Sequence, residues 1–196
     1  MENNINASVF LFNMNITKEQ LKKIKEFTTE FYKGLDKYHN IEHMKKAVEI
    51  AEFIAKKENA DVELARLGAM IHQFHIDMDK FESFLKGNVK EEVKSKLLEI
   101  AGFRAHRAEN KDVCKEAKIA YDADGLQLIG PKGVLREITC NLEVRGKPFD
   151  KSVEDARKIE KLFYDNLQTK TGKEIAEKQY QITKKFWEMY DKEIFQ

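Results

Sequence analysis

Two prolines and nine glycines in 196 residues leave this chain short of the residues that punctuate tight turns. A sandwich or barrel of many hairpins needs more of both, and abundant Lys, Glu and Ala favour helices, so the composition predicts an all-α protein. Cysteine is scarce as well. Cys114 and Cys140 stand apart, with no CxxC spacing and no histidine close in sequence, which argues against a zinc ribbon or a disulfide framework and fits a reducing cytoplasm. An excess of one charge is also missing: 35 Lys+Arg against 34 Asp+Glu leave a formal +1, so no whole-protein field draws nucleic acid or an anionic membrane. No apolar run approaches a membrane span, and the stretch from Ala7 to Phe12 is too short for a signal peptide and lacks its basic lead. At 22.9 kDa the chain reads as one domain over 1–196. Histidine, finally, is lacking from the whole C-terminal part: His39, His43, His72, His75 and His106 are all there are, and that skew is where function is sought.

What is present is helical periodicity. Thr17 and Gln20 form a capping-box pattern ahead of Leu21, Ile24, Phe27 and Phe31, predicting a helix over 17–33. A second, over 41–57, places His43, Ala47, Ile50 and Ile54 on one stripe, so His43 faces inward. Asp61 is the expected N-cap of a third, whose Leu64 to Ile71 run is apolar almost all round and ends by delivering His72. Helices over 80–86 and 89–101 follow, with Gly87 ending one and Asn88 capping the next. A helix over 112–129 carries Asp122 and Asp124 and is expected to stop at Gly130-Pro131. Beyond a short segment to about Leu142, Val144 to Phe149 is the best loop signal and a candidate boundary between a core of about 17–142 and C-terminal helices of about 150–195. There Ser152 and Asp155 open one helix, and Thr171 with Glu174 form a second capping-box pattern before the last.

Three of these helices each project one group able to hold a metal from a largely apolar stripe: His43, His72, and Asp124 or Asp122. Two imidazoles and one carboxylate leave coordination positions open for water and substrate, as metal-assisted hydrolysis requires. The competing reading is that the histidines are satisfied core residues. Periodicity does not choose between the two aspartates, because Asp122 shares a stripe with Ile119, Leu126 and Ile129.

Tyr38-His-Asn-Ile-Glu-His43, Leu67-Gly-Ala-Met-Ile-His72 and Glu116 through Asp124-Gly-Leu resemble, in order and distance, the three metal-binding stretches of the HD-domain superfamily of metal-dependent phosphohydrolases. The segments from Phe163 and from Thr171 are similar to the closing helices of a branch of small standalone bacterial members. The resemblance spans about residues 36–193 and implies an HD-domain-like helical bundle with a C-terminal helical extension. It also implies a divalent ion (Mn, Fe, Mg or similar) on His43, His72 and Asp124, and a small phosphorylated substrate, sometimes a nucleotide. The chain departs from the family at the residue after His72, where Gln73 replaces the aspartate that normally ligates metal; its carbonyl can coordinate but brings no charge. Gly125 and Gln127 also stand where the branch has larger or acidic residues.

His75, three residues on, is a candidate replacement ligand or a turn residue, and Asp77 or Asp79 are substitute carboxylates or surface loop. His39 is expected behind the ligands or against a phosphate, unless it caps its helix. His106 resembles an additional active-site histidine of the branch, and Arg104 and Arg107 beside it suit phosphate oxygens, with Arg136 a weaker candidate. These residues define two expectations. One is a phosphohydrolase in which an ion activates water while His106, Arg104 and Arg107 neutralise developing charge. The other is a catalytically degenerate HD-fold protein, motivated by Gln73, that keeps a pocket for a phosphate ligand or a protein partner.

Overall fold

The computed structural model describes residues 16–106 and 112–192. Nine α-helices make up the architecture among these residues: α1 (Lys18–Lys33), α2 (Ile41–Glu58), α3 (Val62–Ile71), α4 (Met78–Leu85), α5 (Glu91–Gly102), α6 (Lys115–Gly125), α7 (Gly130–Glu143), α8 (Phe149–Asp165) and α9 (Lys170–Tyr190). A 3₁₀ turn, His72–Ile76, continues α3. None of the helices described is long and apolar enough to cross a membrane.

The local signals explain most of the helix starts. Thr17 and Gln20 cap α1 reciprocally, Asn40 takes the amides of Glu42 and His43 at the head of α2, and Asp61 takes that of Leu64 at the head of α3. Three expectations need correction. Gly130-Pro131 opens a helix instead of closing one: proline fits the first turn, where its missing N–H is not needed, and Gly130 supplies a φ of +84° for the entry. The segment 131–142 is therefore helical, and α6 stops at Gly125. The cap of α9 is Thr169, whose hydroxyl accepts from the Gly172 amide; Thr171 instead donates its amide and hydroxyl to Glu58 at the end of α2 (2.8 and 2.7 Å). Asn88 does not cap α5, which starts after Lys90, but donates back to Phe84 at the end of α4.

The site-bearing helices meet along a seam of small residues. Ala47, Ala51 and Ala55 of α2, Ala65 and Ala69 of α3, and Ile119 and Ala123 of α6 form one buried cluster. Alanine lets helix axes approach closely, so polar groups at the ends of this seam come within bonding range of one another. A larger cluster anchors the 3₁₀ turn by stacking Phe74 between Phe31 and Phe81, and its Tyr32 hydroxyl lies 3.4 Å from His72 Nδ1. The α9 start is tied to α6 through Asp122, which is fully buried and accepts from the Gln168 and Thr169 amides (both 2.8 Å) and the Thr169 hydroxyl (2.6 Å).

Candidate metal centre

His43 is the third residue of α2, His72 follows the last turn of α3, and Asp124 lies in the last turn of α6, so all three stand at one end of the alanine seam. The structure brings them together. Asp124 Oδ1 lies 3.3 Å from His43 Nε2 and 3.5 Å from His72 Nε2, and the two rings are edge to face with centroids 5.3 Å apart. Both imidazoles are buried, and among the described atoms neither Nε2 has a hydrogen-bond partner.

The other face of each ring explains why. His72 Nδ1 is 2.6 Å from the Ala69 carbonyl, and His43 Nδ1 is 3.0 Å from Gln127 Oε1. Carbonyl oxygens only accept, so each Nδ1 carries the proton and each Nε2 keeps its lone pair. The Gln127 amide is turned the right way by its own Nε2, which donates to the Ala123 carbonyl at 3.3 Å. Two bare lone pairs and a carboxylate oxygen thus face one point with no proton among them, a donor set suited to a transition-metal cation. Gln127 is the functional residue that the sequence reading missed. Its partner is 84 positions away, and no local spacing marks it.

Charge follows geometry here. Burial pushes the His72 imidazolium down to about 4, against the opposing pull of Asp124, so the ring is neutral at ordinary pH. Burial would raise Asp124, but the neighbouring imidazoles and the Arg104 guanidinium hold it well below the usual carboxylate range. With His72 neutral, Arg104 is the cation that persists. Since the His72 pKa is lower folded than unfolded, the native state binds fewer protons between about 6.5 and 4, and stability falls as pH drops through that window. Metal-depleted protein is expected to lose about 3 kcal/mol from this ring between pH 7 and 4. Thermal melts of wild type and His72→Leu across that range check it, and parallel pH dependences would refute it.

The remaining candidates divide. A cavity of about 340 Å³ opens against Asp124, and His39, Gln73, His75, Arg136 and Arg145 share its wall. His39 Nδ1 is 2.8 Å from Asp36 Oδ2, while Asp36 Oδ1 accepts the Tyr38 and His39 amides, which turns the ring toward the cavity. The cap of α2 is Asn40, so His39 is not needed there. Burial raises the Asp36 carboxyl, but the bonds from His39 and Tyr38 outweigh it and keep the group below its usual value. Arg136 donates to the Tyr38 carbonyl at 2.6 Å and Arg145 to Glu137 and Asn141. Asp36 and His39 also lie near Cys140, close enough for a cation, but Arg136 and Arg145 act on that thiol and disfavour one.

Arg104 is buried and donates to the Phe103 (2.6 Å) and His72 (2.8 Å) carbonyls, so it positions the histidine-bearing turn. His106 has Nδ1 3.3 Å from the Tyr121 hydroxyl and its ring against Phe163, which lines the cavity. Arg107 lies outside the described residues. Asp122 points away from the imidazoles into the α9 cap. His75 stays on the cavity wall with Nδ1 at the His72 carbonyl (3.0 Å) and is not one of the converging groups, and Gln73 is buried and lines the same cavity as Asp124. Asp77 is exposed and caps α4, and Asp79 is exposed too. Gly125 has a packing reason: a Cβ there would come within 2.7 Å of the Phe163 ring.

This order of helices, with two histidines and an aspartate meeting at one end of them, is an HD-domain-like fold. Solved structures share it, three of them as follows. A Lactobacillus plantarum protein matches with a TM-score of 0.71 at 16% identity over 89% of this chain and 96% of its own. Bacillus subtilis YpgQ, solved in complex with ADP, matches at 0.66 and 18% over 88% and 94%, and an HD-superfamily hydrolase from Bacillus thuringiensis at 0.64 and 20% over 88% and 95%. No protein-family profile and no curated protein sequence matches the chain.

Proposed function

We propose that the protein is a metal-dependent phosphohydrolase acting on a nucleotide or another small phosphate ester. The observation that carries this reading is the pair of unpartnered Nε2 atoms aimed at Asp124, next to a cavity large enough for a phosphorylated small molecule. His43, His72 and Asp124 would hold a divalent ion, which would supply the Lewis acidity that phosphate-ester hydrolysis near neutral pH requires. The residues around it have defined tasks. Ala69 and Gln127 fix the tautomers, and Arg104 holds the backbone of His72 and keeps Asp124 ionised. Arg136 and His39 on the cavity wall are placed to hold phosphate oxygens. The ADP bound to the structurally similar YpgQ supports a nucleotide as the substrate class.

The test is reconstitution of metal-depleted protein with Mn²⁺, followed by phosphate and pyrophosphate release from p-nitrophenyl phosphate and from nucleoside mono-, di- and triphosphates. Turnover that disappears in His72→Ala is the expected result. Neither ion binding nor release from any of these compounds would overturn the reading. Gln73, neutral where a second carboxylate would strengthen the site, favours a second reading: a phosphate-binding protein without turnover. Saturable nucleotide binding with no product is its signature.

A further inference from the structure

The three converging side chains carry one negative charge between them, since both imidazoles are neutral ligands and Asp124 is the only acid. Gln73, which follows His72 in the chain and lines the cavity together with Asp124, is buried and uncharged. The other acids on that wall are engaged elsewhere: Asp36 with the His39 ring and two amides, Glu137 with Arg145. Arg136 and Arg145 add positive charge to the same wall. Three carboxylates against two guanidiniums leave the lining at one negative charge, which the buried Arg104 guanidinium near Asp124 offsets, so a divalent ion leaves an excess of positive charge. Burial makes that excess unfavourable, and an anion entering the cavity removes it.

We propose that this centre binds its divalent ion and a phosphate-class anion as a pair, the ion arriving together with the phosphate it serves and not residing in the empty protein. The proposal rests on the hydrolase reading for the place of the ion and adds the order in which the site fills. Gln73 is the residue that makes the coupling strong, because a carboxylate there would balance the ion without any anion. The coupling is reciprocal by linkage: the factor by which phosphate tightens the ion is the factor by which the ion tightens phosphate.

The experiment is a titration of the chelator-treated full chain with Mn²⁺, reading the free-ion electron paramagnetic resonance signal with and without saturating inorganic phosphate. A His72→Ala control corrects for ion–phosphate association in solution. The expected result is an ion dissociation constant at least about tenfold lower in phosphate, with the same factor for phosphate binding when Mn²⁺ is present. Gln73→Asp should bind Mn²⁺ about tenfold tighter without phosphate and show a coupling below about threefold. Equal Mn²⁺ affinity in both arms of the wild-type titration overturns the proposal while leaving the hydrolase reading intact. Absence of His72-dependent Mn²⁺ binding in both arms overturns the ion site itself, and the pairing with it.

Discussion

Replacing Asp124 by asparagine is expected to remove ion binding and turnover while leaving the ion-free protein within about 1 kcal/mol of wild-type stability. The carboxylate is the only charged member of the converging triad, so Asp124→Asn should weaken Mn²⁺ binding by at least about a hundredfold and hydrolysis by about a thousandfold. Stability changes little because two effects oppose each other. The asparagine forfeits the attraction of the buried Arg104 guanidinium, which helps to hold the native carboxylate ionised. In return it meets two Nε2 atoms, 3.3 and 3.5 Å from Asp124 Oδ1 in the native chain, that have nothing to accept from. An asparagine Nδ2 in that place has two N–H groups and two acceptors within reach, and two satisfied pairs contribute about 1–2 kcal/mol against the lost attraction. Calorimetry on chelator-treated proteins reads the stability and Mn²⁺ titration the binding. A variant several kcal/mol less stable and unable to bind would show that Asp124 is a structural acid in an ordinary core, and the histidines with it. Lost binding at nearly unchanged stability marks a carboxylate kept for a ligand.

His43 and His72 were legible because each interrupts an apolar helical stripe, and a buried stripe must aim its polar member at something. The choice between Asp122 and Asp124 was not, since both lie on the inner side of α6; the difference is set by Thr169, 47 positions from Asp122, which takes Asp122 into the cap of α9. Local capping rules failed where a distant partner competed. Thr171 has the right neighbour for a capping box, but Glu58 of α2 holds it. Arg104 beside His106 read as a phosphate-binding cluster because sequence shows charge and not direction, and the guanidinium is turned inward onto the His72 carbonyl. Gln127, read as a departure from the resembled pattern, is what sets the tautomer of His43. The two histidines were therefore written in periodicity, whereas the carboxylate that meets them and the groups that orient them depend on contacts between remote helices.

Glu160 carries that lesson into stability. On α8 its position reads as one more charge on an amphipathic helix, yet it is 1% exposed and accepts from three donors: the Gly130 amide at the α7 entry (2.8 Å), the Thr183 hydroxyl (2.5 Å) and the Trp187 indole (2.9 Å), the last two on α9. One carboxyl thus fastens α7 and α9 to α8, around the Val134, Val153, Ala156 and Trp187 cluster. Glu160→Ala removes the acceptor and leaves the buried Gly130 and Trp187 N–H groups unpaired, each worth about 1–3 kcal/mol, while the Thr183 hydroxyl can keep the Tyr180 carbonyl (3.0 Å), so a loss of about 2–6 kcal/mol is expected. That is a large share of the about 5–15 kcal/mol that stabilises a typical domain, and it corresponds to a fall of roughly 5–20 °C in melting temperature. Glu160→Gln keeps one acceptor oxygen for Gly130 and Thr183 but turns an N–H toward the indole N–H, so it should lie between alanine and wild type. Because the donors belong to α7 and α9 and the metal centre to α2, α3 and α6, ion affinity measured well below the lowered transition should stay within about twofold of wild type. A Glu160→Ala protein that melts like wild type would mean that the three donors find other acceptors, and that this carboxyl does not hold the C-terminal helices in place.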